Sequence, residues 1–181
     1  AFTVLQIQQS HFFTVDTFLT FFMFLALYFS VEIATASTRI FEQPQATSWD
    51  FTKKYLPSFI FFGIALGMAV ASKVNAAPVA ITLPAAALIL YFRIDRDIRQ
   101  RYLVHLFAFL VTAALVSVVT FRIFQPYAFE GPGFFGFLPN SDWIANIKTL
   151  QAQTSGDVDF PPAIQWARRP IWFSFQNMVL W

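Results

Sequence analysis

The sequence predicts an all-α protein, a polytopic bundle of four transmembrane helices followed by an irregular, aromatic-rich external loop domain. Only 12% of the residues are charged and 57% are hydrophobic, whereas charged residues make up about a quarter of a typical soluble domain. Four apolar stretches are each about 17 to 20 residues long, which is enough to cross most of a hydrocarbon core of about 30 Å. These observations exclude a soluble enzyme.

The four predicted spans cover residues 12–31, 56–72, 76–92 and 102–121. A charged residue at the bilayer centre costs about 3 kcal/mol, so runs that lack charge mark the embedded helices. Asp16 lies near the outer edge of the first span, and Pro84 predicts a kink near the middle of the third. We therefore assign residues 1–123 to the transmembrane bundle.

Lys and Arg collect in two connections, 32–55 and 93–101. Because positive residues in short loops favour the cytoplasmic side, these connections are predicted to be cytoplasmic and residues 124–181 external. The expected location is the cell inner membrane, crossed several times. Membrane lipids are the first expected partners.

Residues 124–181 are rich in Pro, Gly and aromatic side chains, which favours a packed external cap over a disordered tail. Within it, Trp143, Ile147 and Leu150 recur at helical spacing and predict a short amphipathic helix over 142–153, with Ser141 as its cap. The last residues resemble the approach to a further span. We therefore expect the chain to be a segment of something longer.

No cysteine is present, and the two histidines, His11 and His105, do not form a metal-binding spacing. The sequence predicts no metal site and no cofactor. The few basic residues lie between apolar runs and form no patch for phosphodiesters, so nucleic acid is not an expected partner. His105 is interpreted as an interfacial histidine with its hydrogen bonds satisfied.

Asp16 and Lys73 are the main candidates for chemistry. An ionisable residue at membrane depth suggests function, but an Asp in the first turn of a helix also stabilises the positive end of the helix dipole. Lys73, in the turn between the second and third spans, is placed to meet a phosphate or, alternatively, to snorkel to lipid headgroups. His11 could contact Asp16 or a lipid phosphate.

Other basic and polar residues are candidates for an external anion-binding surface. Arg122 lies at the outer end of the fourth span, and the further members are Gln125, Tyr127, Arg168 and Arg169. The competing interpretation is interfacial anchoring by aromatic and basic side chains. Asp157 and Asp159 form an Asp-x-Asp pair that is more typical of a turn than of an ion site.

Small residues recur every four positions along the second span, at Gly63, Gly67 and Ala71. Such a stripe lets helix backbones approach closely and predicts a packing face, not a catalytic one. We expect the alanines 85–87 of the third span to be its partner surface.

Several segments carry a family resemblance: SHFFTVDTFLTFF, GIALGMAVASKVNAAP, FRIFQPYAFEGPGFFG and PPAIQWARRP. They resemble the YYY-domain family of bacterial and archaeal membrane proteins, which is similar to the lipid-phosphosugar-dependent GT-C glycosyltransferases of the protein O-mannosyltransferase type. The resemblance covers most of the chain. It implies a multi-span protein that takes a sugar from a polyprenyl-phosphate carrier on the outer side.

The resemblance also implies residue roles. Lys73 would meet the carrier phosphate, with Asp16 and His11 bordering the donor site and Arg122 lining the same outer cavity. The family's catalytic carboxylate lies in an external loop before the span that follows TVD, so we expect it outside this chain. Whether the chain is an enzyme is left open, and two functions remain. The first is a part of a GT-C-like glycosyltransferase. The second is a non-catalytic accessory subunit of a larger membrane complex, such as an energy-transducing electron-transfer complex, with other integral membrane subunits as partners.

Overall fold

The computed structural model describes residues 15–38, 47–131, 133, 136–155, 157, 170, 172–173 and 176. Its elements are α1 (Val15–Thr35), α2 (Ser48–Ser72), a 3₁₀-helix (Val74–Ile81), α3 (Thr82–Arg93), α4 (Arg96–Phe124), a short 3₁₀-helix (Pro126–Ala128), β1 (Phe129–Glu130), β2 (Leu138–Pro139) and α5 (Ser141–Ser155). Four helical segments are long and apolar enough to cross a membrane: Val15–Thr35, Ser48–Ser72, Val74–Arg93 and Tyr102–Phe124. The predicted all-helical class with four spans is confirmed.

The helices extend beyond the charge-free runs that predicted them. α2 begins at Ser48, although the predicted span begins at residue 56. The cause is a capping box, in which the Thr47 hydroxyl accepts a hydrogen bond from the Asp50 N–H and the Asp50 carboxylate accepts one from the Thr47 N–H at 2.9 Å. Absence of charge marks the embedded part of a helix, whereas capping decides where the helix starts.

The third span changes helix type along its length. Residues Val74–Ile81 form a 3₁₀-helix, and α3 continues from Thr82. Pro84 lies in the first turn of α3, where a missing N–H disturbs no helical hydrogen bond. Pro78 lies within the 3₁₀ segment. In place of the kink expected in the middle of a single α-helix, the span joins two helices of different pitch.

Contacts between helices fix their directions and order. Ser30 on α1 hydrogen-bonds Thr82 on α3 at 2.9 Å, and further along both helices Arg93 donates to Ala34, so α1 and α3 are parallel. Gly63 lies against Ala113 and Gly67 against Ser117, so residue numbers rise together along α2 and α4, and these two helices are also parallel. The main packing partners are α1 with α2, α2 with α4, and α3 with both α1 and α4. The spans therefore alternate in direction, in the spatial order α1, α2, α4, α3.

The two glycines of α2 pack against α4. A Cβ built on Gly63 would lie 2.5 Å from the Ala113 carbonyl oxygen, and one on Gly67 would lie 2.6 Å from the Thr120 Cβ. The interpretation that paired this face with the alanines 85–87 was wrong, because α2 neighbours α4 and not α3. Ala71 is half-buried.

The core of the bundle contains aromatic side chains at one end and small side chains in its middle. Phe51 and Phe59 on α2 are fully buried against Phe109 on α4: the Phe51 ring stacks on it with centroids 5.5 Å apart, and the Phe59 ring is tilted against it at 5.4 Å. Ala86 and Ala87 on α3 belong to the same core cluster. Large side chains that face outward, such as Phe24 at 68% exposure, lie where lipid surrounds a membrane protein.

The chain divides into two compact units, Ala1–Pro126 and Tyr127–Trp181. In the second, β1 and β2 pair antiparallel, with Phe129 opposite Pro139. Gly131 has a φ of +127°, and a Cβ on Gly136 would lie 2.7 Å from the Gly131 Cα, so the hairpin requires glycine at both positions. The helix that follows begins at Ser141, and its cap differs from the one expected. The Asn140 Oδ1 accepts from the N–H of Asp142 at 2.8 Å.

Candidate functional site

One end of the bundle collects three of the predicted site residues, Asp16, Lys73 and Arg122. α1 starts there, α2 and α4 end there, and the 3₁₀-helix begins there. We call it the Lys73 end. The opposite end, where α1 and α3 finish and α2 begins, is called the Arg93 end.

Asp16 lies in the first turn of α1. Its carboxylate can interact favourably with the positive end of the helix dipole, as the sequence suggested. Its backbone carbonyl accepts a hydrogen bond from the Thr20 hydroxyl at 2.7 Å. The first turn is thus anchored through the backbone, and the carboxylate remains available for a partner outside α1.

Lys73 is the single residue between α2 and the 3₁₀-helix. Its backbone is extended, with φ −159° and ψ 122°. Its N–H donates to the Ala69 carbonyl at 3.0 Å, which ends α2, and its carbonyl accepts from the Ala76 N–H at 3.0 Å. Because helices on both sides hold its backbone, the side chain leaves the bundle from a fixed point.

The Lys73 amine donates to the Asp16 Oδ1 at 2.9 Å. The Lys73 side chain is 44% exposed and the Asp16 side chain 37%. At that exposure solvent screens the pair, and its contribution to stability is about 1 kcal/mol or less. The pair is therefore accessible, close to neutral overall and easily exchanged for another partner.

The sequence identified both residues but missed their pairing. They lie 57 positions apart, and no local spacing relates them. Alternating spans did carry a signal, because the start of the first span and the end of the second must share one side of the membrane. An acid and a base at those two positions are placed to meet.

Arg122 lies in the last turn of α4, at the Lys73 end, and only 8% of it is exposed. A buried guanidinium near a helix C-terminus is stabilised by the negative end of the helix dipole. It differs from Lys73 in exposure: the Lys73 side chain is accessible, whereas Arg122 is buried.

The Arg93 end uses its cations differently. Arg93 donates to the carbonyl oxygens of Ala34 at 2.6 Å and Ala36 at 3.1 Å. The Lys54 amine and the Tyr55 hydroxyl both donate to the Ser37 carbonyl, at 2.7 and 2.9 Å. These side chains satisfy carbonyls that the end of α1 leaves without helical donors.

The remaining predicted residues are distributed as follows. His11, Asp159, Arg168 and Arg169 lie outside the described residues. Gln125 is half-buried and ends α4 by donating its N–H to the Phe121 carbonyl at 2.8 Å, while Tyr127 is 51% exposed. The external anion surface to which they were assigned stays a prediction.

The structure also shows the surroundings of Asp157 and His105. Asp157 accepts a hydrogen bond from the Ser155 hydroxyl just after α5, as a turn residue does. His105 lies edge-on to the Phe51 ring at 5.8 Å, and its Nδ1 is buried without a hydrogen-bond partner among the described residues. The expectation of a satisfied interfacial histidine is not met there.

Within the described part of the chain, no group of three His, Cys, Asp or Glu side chains could hold a metal ion. The Lys73 end offers an ammonium group with its hydrogen-bond donors and a carboxylate. A paired ammonium and carboxylate suit an anionic ligand that is bound and released, such as a phosphate.

A second feature lies on α2 towards the Arg93 end. A groove of about 300 Å³ follows one face of the helix and is lined by Trp49, Thr52, Lys53, Leu56, Pro57, Ile60 and Phe61. At its inner limit the Phe61 ring stacks on Phe29 of α1 at 5.5 Å. This groove was not expected from the sequence, because its residues were assigned partly to a connection and partly to a span.

Together, four apolar spans and a charged pair at their ends define a multi-pass membrane protein with a polar site at one end of its bundle. The family model for dolichyl-phosphate-mannose-protein mannosyltransferase matches residues 1–130, and the chain belongs to that family. No curated protein and no solved structure matches the chain. The predicted likeness to the GT-C mannosyltransferases is thereby confirmed at the level of the family.

Proposed function

We propose that this chain is part of a glycosyltransferase that uses a polyprenyl-phosphate sugar, and that Lys73 binds the carrier phosphate. Family membership supports the substrate class, because the name of the family specifies dolichyl-phosphate-mannose as the donor and protein as the acceptor. The observation that carries the assignment to Lys73 is its exposed amine, held at the end of the spans by a side-chain carboxylate. The closer resemblance to the YYY-domain proteins stays a prediction.

The chemistry of the pair supports phosphate binding. An ammonium group has three N–H donors, and Asp16 accepts from one of them. The others are available to phosphate oxygens, and Asp16 repels the phosphate that Lys73 attracts. Ligand binding therefore weakens the Asp16 contact, and loss of the ligand restores it.

Transfer of the sugar increases the charge on the carrier. The donor is a phosphodiester with one negative charge. An acceptor hydroxyl oxygen bonds the anomeric carbon and loses its proton to a base, while the bond from that carbon to the phosphate oxygen breaks and leaves a phosphate monoester with up to two negative charges. A cation fixed at that phosphate stabilises the leaving group more strongly than the donor, which lowers the barrier. In this role Lys73 binds the leaving group.

The test is binding of a polyprenyl phosphate to the purified full chain in detergent, measured by native mass spectrometry. Lys73→Gln should weaken binding about tenfold, because it removes a charge-assisted hydrogen bond. Asp16→Asn should leave binding equal or stronger, since the amide keeps the shape of the side chain without repelling phosphate.

Lys54→Gln is the matched control, because its amine is bound at the Arg93 end. It should bind the carrier like the wild type. If Lys73→Gln binds as well as the wild type, or if the Lys54 variant loses as much, Lys73 does not bind the phosphate.

The accessory-subunit alternative would need a face reserved for another protein. α1 does expose large apolar side chains along one side, among them Phe21, Phe24 and Tyr28. Lipid contact requires the same exposure, so this face does not favour the alternative. The glycine stripe, which could have served a partner, is used within the chain against α4.

A further inference from the structure

The groove on α2 has an almost wholly apolar surface, and a lysine is among the residues that line it. Leu56, Ile60 and Phe61 form the wall, and Lys53 lies one to two turns before them on the same helix face. Along α2 this wall extends about 12 Å beyond Lys53 at 1.5 Å per residue. A charged head above an apolar channel has the shape and polarity of a phospholipid.

Lys53 interacts electrostatically with Asp50, the acid nearest to it in sequence, but the two form no direct ion pair. The Asp50 carboxylate accepts from the Thr47 N–H at 2.9 Å and from the Thr47 hydroxyl at 2.7 Å, and so serves the start of α2. Among the described residues, no carboxylate forms an ion pair with Lys53. The exposed Lys53 side chain can therefore still bind an anionic ligand.

The adjacent lysine provides a contrast within the same turn. The Lys54 amine donates to the Ser37 carbonyl at 2.7 Å and helps to complete the end of α1. Both lysines are exposed, but Lys54 is bound to a backbone carbonyl of the neighbouring segment and Lys53 lies on the face of α2 that forms the groove.

Trp49 gives the depth of the groove mouth. It is 70% exposed and lies one turn before Lys53. Tryptophan and lysine at the end of a span are typical of the membrane interface, where an indole ring sits at the level of the headgroups. At that depth the available anions are the phosphates of the lipids themselves.

We propose that the α2 groove binds one phospholipid with an anionic headgroup. The Lys53 amine binds the headgroup phosphate, Trp49 packs beside the headgroup, and one acyl chain runs along Leu56, Ile60 and Phe61. This site is separate from the carrier-phosphate site, because it lies towards the Arg93 end and uses none of the same residues.

The experiment is native mass spectrometry of the full chain titrated with phosphatidylglycerol or with phosphatidylcholine of identical acyl chains. The wild type should prefer phosphatidylglycerol about fivefold, the effect expected of one lysine near the headgroups. Lys53→Gln should abolish that preference, whereas Lys54→Gln, which removes the same charge from the same turn, should keep it.

The acyl-chain part of the site is tested by filling the groove. Ile60→Trp should lower retention of both lipids, while Leu88→Trp, at a position on α3 that is 57% exposed, should not. Leu56→Trp is a second filler if Ile60→Trp does not fold, as judged by its thermal transition in detergent.

Three results would overturn the proposal. Equal losses in the Lys53 and Lys54 variants would indicate diffuse attraction to that end of the bundle. Unchanged lipid retention in a folded groove-filled variant would show that the acyl chain lies elsewhere. A dimer that only the groove-filled variant abolishes would make the groove a contact between two copies of the chain.

Discussion

The two ends of the bundle hold similar cations on different acceptors. At the Arg93 end, Arg93, Lys54 and Tyr55 donate to backbone carbonyls that the terminus of α1 leaves open. At the Lys73 end, Lys73 donates to the side chain of Asp16. The backbone carbonyls at a helix terminus need hydrogen-bond donors whenever the helix is folded, whereas an exposed carboxylate can release its partner. The difference separates structural from exchangeable charge.

The largest effect is expected from a substitution at the contact between α2 and α4, on which the whole bundle depends. Gly67→Leu should destabilise the bundle by about 3 kcal/mol or more, because its first side-chain carbon would already lie 2.7 Å from the Ser117 carbonyl oxygen. The thermal transition in detergent measures it, with the exposed Ala108→Leu on α4 as the control. A variant as stable as the wild type would mean that α2 and α4 are not in close contact.

The next effect is expected at the Lys73 end alone. In the charge exchange Asp16→Lys with Lys73→Asp, the ion pair can form again, so stability should change by only about 1 kcal/mol. Binding of polyprenyl phosphate should nevertheless fall about tenfold, since the cation no longer extends from the residue between the two helices. Retained binding would show that any cation at this end suffices, and the exact position of Lys73 would lose its significance.

A smaller effect is expected at the Arg93 end. Arg93→Gln removes a charged donor from two carbonyls at an exposed position and should cost about 1 kcal/mol of stability. The affinity for polyprenyl phosphate should not change. Loss of carrier binding without loss of stability would contradict the division of roles between the two ends.

The number and position of the spans could be predicted from the sequence, because the cost of burying charge acts on each stretch separately. Which helices and side chains contact each other could not be predicted in this way. Asp16 and Lys73 are distant in the chain, and the partner of Gly67 depends on which helix lies beside α2. A preference for neighbours in sequence favoured the third span, whereas the observed order places α4 there.

Local capping chemistry explains the remaining differences. The sequence contained both members of the Thr47–Asp50 capping box, but a search for uncharged runs passes over an aspartate. At α5 two adjacent residues could cap the helix, and Asn140 does so while the Ser141 N–H donates to the Glu130 carboxylate at 3.2 Å. That choice depends on where β1 places Glu130.

The 3₁₀ segment at the start of the third span affects how well the protein matches bilayer thickness. A 3₁₀-helix rises about 2.0 Å per residue and an α-helix about 1.5 Å, so Val74–Arg93 reaches about 34 Å where an α-helix of equal length would reach about 30 Å. The span is therefore about 4 Å longer than a hydrocarbon layer of about 30 Å, which an α-helix of equal length would just match. Hydrophobic matching then sets the height of Lys73, and a thicker or thinner membrane would move its ammonium group relative to the plane of the lipid phosphates.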